Sequence, residues 1–446
     1  MEFSNPQALR TRYHEVYIFP HFDQQLLLNT APEDAMSYRG LVGLPNLDYS
    51  TLAVSRRHSH SKLNRRRNSQ QSVTISNSTE ASRSTDYELP PFIRILNLLL
   101  LHTPLEKTGS NNFITNVQLL DAVSLSETCP ILGTGRHFTV YASPFDSSDH
   151  DFKPIDGRAF NNEVYCIKAP NFISGRTTTP GPAKDAFRNE YYDAVLQELR
   201  VLLHPHLRSH DNIINLFGLD FQEDYDDCTT AWPVLVMENA EYGTLDILQQ
   251  DIHLDSELAR ILLLDVARGI EALHQCNIIH GDVKSENVLI CRHKARPYVA
   301  RLSDFGLSVI NPDEGREDHH LPGGTFLWRA PEFERALSIQ GLQQTDVYSF
   351  GLTVWRVLVN DPNPYSLIPL AALGLQNSPA LSEVVNRAKA HPRFTQLVLQ
   401  TMETSGFSQI YALRIIESTL GRDPASRDLS SAISVFAMGK ANIPHE

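Results

Sequence analysis

Cysteine is scarce in this chain. The five present, Cys129, Cys166, Cys228, Cys276 and Cys291, are scattered over 446 residues and form no C-x-x-C pair. That excludes a disulfide framework and leads us to expect a reducing, cytoplasmic setting. Long apolar runs are also missing. The longest, "FIRILNLLLL" at 92–101, is half of what a bilayer crossing needs and carries Arg94 and Asn97, so it reads as a core or docking helix. The opening "MEFSNPQALRTRYHEVY" has no basic-then-apolar signal pattern. Positive charge is in deficit, with 39 Lys and Arg against 52 Asp and Glu for a net charge of −13. This excludes a general nucleic-acid binder and favours basic partners. There are no internal repeats and no G-x-x-x-x-G-K-[ST] phosphate loop. The histidine pairs His58/His60, His204/His206 and His319/His320 have no Cys or Asp at zinc-ligand spacing.

What is present divides the chain into four stretches. Residues 1–54 are mixed and read as an extension of unknown role. Residues 55–88 are rich in Ser, Asn, Arg and Thr and nearly free of large apolar residues. They bury too little surface to offset their ordering entropy, so a disordered basic linker is expected. Residues 89–112 hold a short apolar helix and a connector, and 113–440 form the main domain. There "CPILGTGRHFTVYAS" reads as two strands around a Gly turn, and "EVYCIKAP" and "AWPVLVMENA" as further strands. "AFRNEYYDAVLQELRVLLHPHL" is amphipathic and helical. The helices "SELARILLLDVARGIEALHQ" and "TDVYSFGLTVWRVLV" follow, with a helical tail behind them. Strands first and helices later predict an α+β domain of two lobes.

The stretch "IIHGDVKSENVLI", 278–290, reads as strand, polar loop, strand, with Asp282, Lys284 and Asn287 in the loop. A loop of this composition suits phosphoryl transfer, which is mostly positioning and charge neutralisation. Asp282 would accept the substrate hydroxyl's hydrogen bond, Lys284 would neutralise the moving phosphoryl group, and Asn287 would bind Mg2+ through its amide oxygen. "SDFGLS" supplies Asp304 as a second metal ligand. Gly133 and Gly135 in "LGTGRHFTV" let backbone amides approach phosphates; the third Gly of such loops is absent and Phe138 stands there. Lys168, flanked by apolar residues, would reach the α- and β-phosphates. It needs a carboxylate, for which Glu198 is the best candidate and Glu190 the fallback. Glu332 in "RAPE" needs a deep partner, and Arg427 is placed to be a structural one.

The ordered set resembles the eukaryotic protein kinase family from about residue 125 to about 438. It comprises the G-x-G loop, Lys168, Glu198, the H-G-D-V-K-S-E-N loop, Asp304-Phe305-Gly306, Ala330-Pro331-Glu332 and Asp346. The resemblance implies a bilobal fold with a small β-rich lobe and a larger helical one, and ATP and Mg2+ as cofactors. It implies an adenine site with Gly133, Gly135, Val140, Lys168 and Leu289 around it, Met237 as gatekeeper and a hinge over Glu238 to Ala240. Leu202, Leu216, His280 and Phe305 match the family's stacked apolar spine, and Asp346 matches the residue that braces the catalytic loop. Lys284, with Thr325 bonding to it and to Asp282, is similar to the serine/threonine branch, whereas Trp328 is more typical of the tyrosine branch. The implied activity is a serine/threonine kinase acting on proteins. The alternatives are a catalytically weak pseudokinase scaffold and a kinase-like fold acting on a small molecule.

Gly281 departs from the family, most of whose members carry Arg there, to be neutralised by a phosphate on the activation segment. Between Leu307 and Gly324 the only phosphorylatable residue is Ser308. Activity independent of activation-segment phosphorylation is therefore expected. "RRHS" and "RRNS" in the linker make Ser59 and Ser69 candidate autophosphorylation sites, and Glu286 matches a position that contacts substrate Arg in basophilic family members. The same Arg cluster is a candidate nuclear import signal.

Overall fold

The computed structural model describes residue 95 and residues 129–142, 165–171, 182–223, 231–313, 315–316, 318–376, 379–403 and 409–438. The expectations for residues 1–54 and 55–88, Ser59 and Ser69 among them, lie outside these. So does the stretch 89–112, apart from the buried Ile95. The chain divides into two compact units, residues 1–121 with 220–232, and residues 122–219 with 233–446. Of the first, the described parts are Ile95 and the ends of two strands. The second carries every candidate catalytic, nucleotide-binding and metal-binding residue named above.

Its strands come first. β1 (Ile131–Thr134), β2 (Phe138–Ala142), β3 (Tyr165–Pro170), β4 (Leu216–Glu223) and β5 (Ala231–Glu238) form one sheet in the order β1-β2-β3-β5-β4. β1/β2, β2/β3 and β3/β5 pair antiparallel, and the register sets Val140 opposite Lys168 and Lys168 opposite Leu235. Directly opposed residues share a face of the sheet, so these three lie side by side. Helix α1 (Pro182–Leu202) follows β3. It starts four residues before the amphipathic pattern does. Proline suits the first helical position because its fixed φ is helical and its missing N–H has no partner to lose.

Helices then dominate: α2 (Leu245–Asp251), α3 (Ser256–Gln275), α4 (Ile339–Val359), α5 (Leu381–Ala390), α6 (Phe394–Thr401), α7 (Gln409–Thr419) and α8 (Leu429–Ala437). Asp255 caps α3 by accepting from the N–H groups of Glu257 and Leu258 at 3.0 and 2.8 Å. Ser338 caps α4 in the same way, and Asn360 ends that helix in the left-handed conformation. α4 is buried over most of its length, from Leu342 to Leu358, so it is the axis of the helical half rather than a surface helix. Short strands β6 (Ile278–Ile279), β7 (Val288–Cys291), β8 (Val299–Leu302) and β9 (Val309–Ile310) pair as β6/β9 and β7/β8. They frame the loop 280–287. Among the described residues no helix is long and apolar enough to cross a membrane.

The expected pair of Glu332 and Arg427 is present and buried. Arg427 Nη2 donates to Glu332 Oε2 at 3.0 Å and Nη1 to Oε1. The guanidinium also donates to the carbonyls of Gly421 and Gln344 and lies over the Tyr348 ring. Four of the five N–H groups of this buried cation are therefore used. Removing it strands the Glu332 carboxylate, so Arg427→Ala is expected to lower unfolding free energy by about 3–5 kcal/mol, measured by urea denaturation.

Candidate active site

Lys168 leaves β3 at a buried position, and its ammonium donates to Glu198 Oε1 on α1. Asp304 Oδ1 lies 3.4 Å from the same Nζ. Burial disfavours the Lys168 charge, but Glu198 and Asp304 outweigh it and hold its pKa above the ordinary value. Burial likewise opposes ionisation of Asp304. Lys168, then His280 and Lys284, overcome it and keep that carboxyl below its ordinary range. About half of the Asp304 side chain, 52%, is still exposed, so the charge remains accessible to a cation. Glu190, the fallback partner, is on the surface and pairs with Arg136 and His137 at 3.1 and 3.2 Å. The sequence decides between the two in hindsight: Glu198 lies among the buried positions of α1 and Glu190 does not.

The loop 280–287 is shaped from below. Asp346 on α4 is buried and accepts from the backbone N–H of His280 at 2.8 Å and of Gly281 at 2.9 Å, and its Oδ2 is 2.9 Å from His274 Nε2. Asp282 then presents a carboxylate held on both oxygens. Thr325 N donates to Oδ1 at 2.6 Å, while Lys284 Nζ at 2.7 Å and the Thr325 hydroxyl at 3.1 Å donate to Oδ2. Lys284 also donates to the Thr325 hydroxyl at 2.7 Å, which is the triangle expected from the sequence. Asn287 donates its amide N–H to the Asp282 carbonyl at 2.9 Å, so its amide oxygen is the atom left for a cation. Phe305 is buried with its ring 5.3 Å from His280. It anchors the turn in which Asp304 takes a positive φ of 63°, a conformation that Asp tolerates better than most residues.

The positions expected around a nucleotide differ in their surroundings. A side chain added at Gly133 would meet nothing within 4 Å, and one at Gly135 only the Phe138 carbonyl oxygen at 3.8 Å. Protein packing does not require glycine at either point, and its presence keeps space open over the cleft. Val140 and Leu289 are half-exposed in strands whose neighbouring residues are mostly buried, while Met237 is buried and Glu238 to Ala240 are half-buried. The Glu238 side chain turns to Asn215 Nδ2 at 2.7 Å and Arg301 Nη1 at 3.5 Å, so this residue offers the site its backbone. Leu202 is buried and Leu216 half-buried.

Three polar contacts escaped the sequence reading. The Asn171 amide donates to the carbonyls of Gly135 and Arg136, both at 2.7 Å, and accepts from the Thr139 hydroxyl at 2.8 Å. It clasps the glycine turn to the end of β3. Gln197 on α1 donates to the Ser308 carbonyl. Lys389 on α5 donates to the carbonyls of Phe326 at 3.2 Å and Arg329 at 2.8 Å, bracing the segment that follows Thr325. The only signal for Lys389 was a cation near the end of a helix, which is common on surfaces.

The protein kinase domain family matches residues 182–432. That is more than half of the chain, and the chain belongs to this family. The match begins after the glycine pair and Lys168, which the geometry nonetheless brings to Glu198 and Asp304. Among similar proteins, the probable serine/threonine-protein kinase drkC of Dictyostelium discoideum is 33% identical over 54% of this chain and 31% of its own length. Serine/threonine-protein kinase STY17 of Arabidopsis thaliana is 28% identical over 42% and 31%. A probable receptor-like protein kinase of Arabidopsis thaliana is 29% identical over 52% and 26%. The chain thus spans about a third or less of these relatives.

Burial first, and the Arg329 guanidinium second, lower the Lys389 pKa to about 7. In the unfolded chain the same group titrates near ~10.4. Between those values the unfolded state binds more protons than the folded one, so this group makes stability rise with pH. The difference in unfolding free energy between wild type and Lys389→Met is therefore expected to shift in favour of wild type from about pH 7 to about pH 10. Denaturant titrations across that range measure it.

Proposed function

We propose that the protein transfers the γ-phosphate of ATP to serine and threonine hydroxyls of protein substrates. The observation that carries this reading is the Asp282 carboxylate, fixed by Lys284 and Thr325, in one structure with the Lys168–Glu198–Asp304 cluster. A hydroxyl that reaches Asp282 is oriented by the carboxylate and loses its proton toward it. Lys284 stands beside the same oxygen to neutralise charge on the transferring group, and Lys168 is held for the non-transferred phosphates. Asp304 and the Asn287 amide oxygen are hard oxygen donors of the kind Mg2+ takes. A metal held there would offset phosphate charge. The Lys284–Thr325 contact and the names of the relatives support serine and threonine as acceptors.

Independence from activation-segment phosphorylation belongs to the same proposal. Ser308 is buried and donates its hydroxyl to the His280 carbonyl at 3.1 Å, so it is not offered to another kinase. Gly281 has a φ of +80°, and a Cβ there would come within 2.7 Å of the Leu307 carbonyl oxygen. The position thus excludes the usual arginine as well as lacking it. The segment is ordered by other means: His319 and Leu337 exchange two backbone bonds at 3.0 and 2.9 Å, and Arg316 pairs with Asp318 at 2.9 Å. Glu286 is exposed in the turn after Lys284. It supports a preference for basic substrates, the linker serines Ser59 and Ser69 among them.

Asp282→Asn is expected to lower phosphate incorporation into a generic basic protein by about 10²–10⁴-fold, with ATP affinity by calorimetry little changed. No incorporation by wild type and variant alike would favour a nucleotide-binding scaffold instead. Phosphatase-treated wild type is expected to keep its activity. Lost activity, together with a phosphate mapped by mass spectrometry to residues 305–325, would refute the independence.

A further inference from the structure

Phe138 stands where the loop's third glycine is missing, and its ring is buried rather than raised into the cleft. Lys168 Nζ lies over the ring face, 4.3 Å from the centroid. The ring also meets Tyr191 of α1 at a centroid distance of 5.0 Å. Tyr191 and Glu198 are seven residues apart, two helical turns, and so point the same way from α1. The Tyr191 hydroxyl in turn donates to the Pro233 carbonyl of β5. One ring therefore touches the cation that must reach the phosphates and the helix that supplies the cation's carboxylate. A glycine at 138 would remove the ring from beside the ammonium.

We propose that Phe138 is a positioning residue for nucleotide binding: its ring holds the Lys168 ammonium against Glu198 and seats α1 before any nucleotide arrives. An ammonium over an aromatic face is attracted by the ring quadrupole, more so away from water. A buried ring also has few alternative rotamers at native packing density. The Lys168–Glu198 pair is thus preassembled, and its ordering cost does not fall on the nucleotide. The loop gives up the close backbone approach that a third glycine allows and gains a fixed cation. This inference rests on the ATP-binding reading, whose own failure would show as wild type binding neither adenosine nor ATP.

The test compares calorimetric affinities for adenosine and for Mg-ATP, since only the second engages Lys168. Thermal unfolding of each variant verifies that it is folded. In Phe138→Gly, ATP affinity is expected to fall about ten-fold, the scale of a desolvated cation–ring contact, while adenosine affinity changes less than about two-fold. Phe138→Tyr keeps the ring face and is expected to bind ATP like wild type. Phe138→Leu keeps apolar bulk without the face and is expected to resemble Phe138→Gly. Tighter ATP binding by Phe138→Gly would overturn the proposal by showing that the ring stands in the phosphates' way. Equal losses for adenosine and ATP, restored by Phe138→Leu, would overturn it in favour of simple packing.

Discussion

One buried ammonium ties this structure together. Lys168 comes from β3, Glu198 from α1 and Asp304 from the turn after β8, and the three meet at a single nitrogen. A cation buried without partners costs several kcal/mol, and so does a carboxylate. Neither β3 nor α1 can therefore move away alone without leaving a buried charge stranded, and the Asp304 turn is attracted to the same nitrogen. Sheet, helix and the Asp304 turn are coupled by electrostatics as well as by apolar packing. The coupling also sets the chemistry. The charges that make the cluster stable leave the Asp304 carboxyl ionised and half-exposed, as a cation ligand must be.

The catalytic loop is fixed on a different principle, backbone hydrogen bonding to a buried acceptor. Asp346 sits on α4, the most buried helix, and takes two N–H groups from the turn at His280 and Gly281. Those N–H groups would otherwise be orphaned in the interior, where each unpaired polar group is costly. The shape of the loop is thus set by the core rather than by solvent-exposed contacts. Asp282 inherits that rigidity, and Thr325 and Lys284 complete it from above. Positioning of this kind is the larger part of what phosphoryl transfer asks of a protein.

The polar groups of the site were legible in the sequence because their chemistry and order restrict them strongly. Lys168, Asp282, Asn287 and Asp304 have few substitutes, and each lies within or beside an apolar strand. The long helices were legible from periodicity, but their starts were not. α1 begins at Pro182 and α4 at Ile339, because Lys184 and Asp185 in the one and Gly341, Gln343 and Gln344 in the other interrupt the apolar period while a proline or a capping serine still begins the helix. The braces formed by Asn171, Gln197 and Lys389 left no trace at all. Each is a single side chain reaching backbone carbonyls 35 to 111 positions away, and neither spacing nor composition encodes such contacts. The residues that converge were therefore readable, and the scaffolding that holds them was not.

Gly281 meets a local backbone requirement that no other residue would meet without strain. In the left-handed region a Cβ would collide with the Leu307 carbonyl, a backbone atom that cannot swing aside as a flexible side chain would. The close approach of the catalytic loop to the start of the activation segment thus depends on glycine. With no cation at 281 to attract a phosphate, the segment draws its order from the paired backbones of His319 and Leu337, the β6/β9 pair and the Gln197 contact to Ser308. Most of these are short-range hydrogen bonds between neutral groups, which salt screens little. A phosphate-and-arginine latch is reversible because its charge can be removed. An order built on backbone pairing has no such handle.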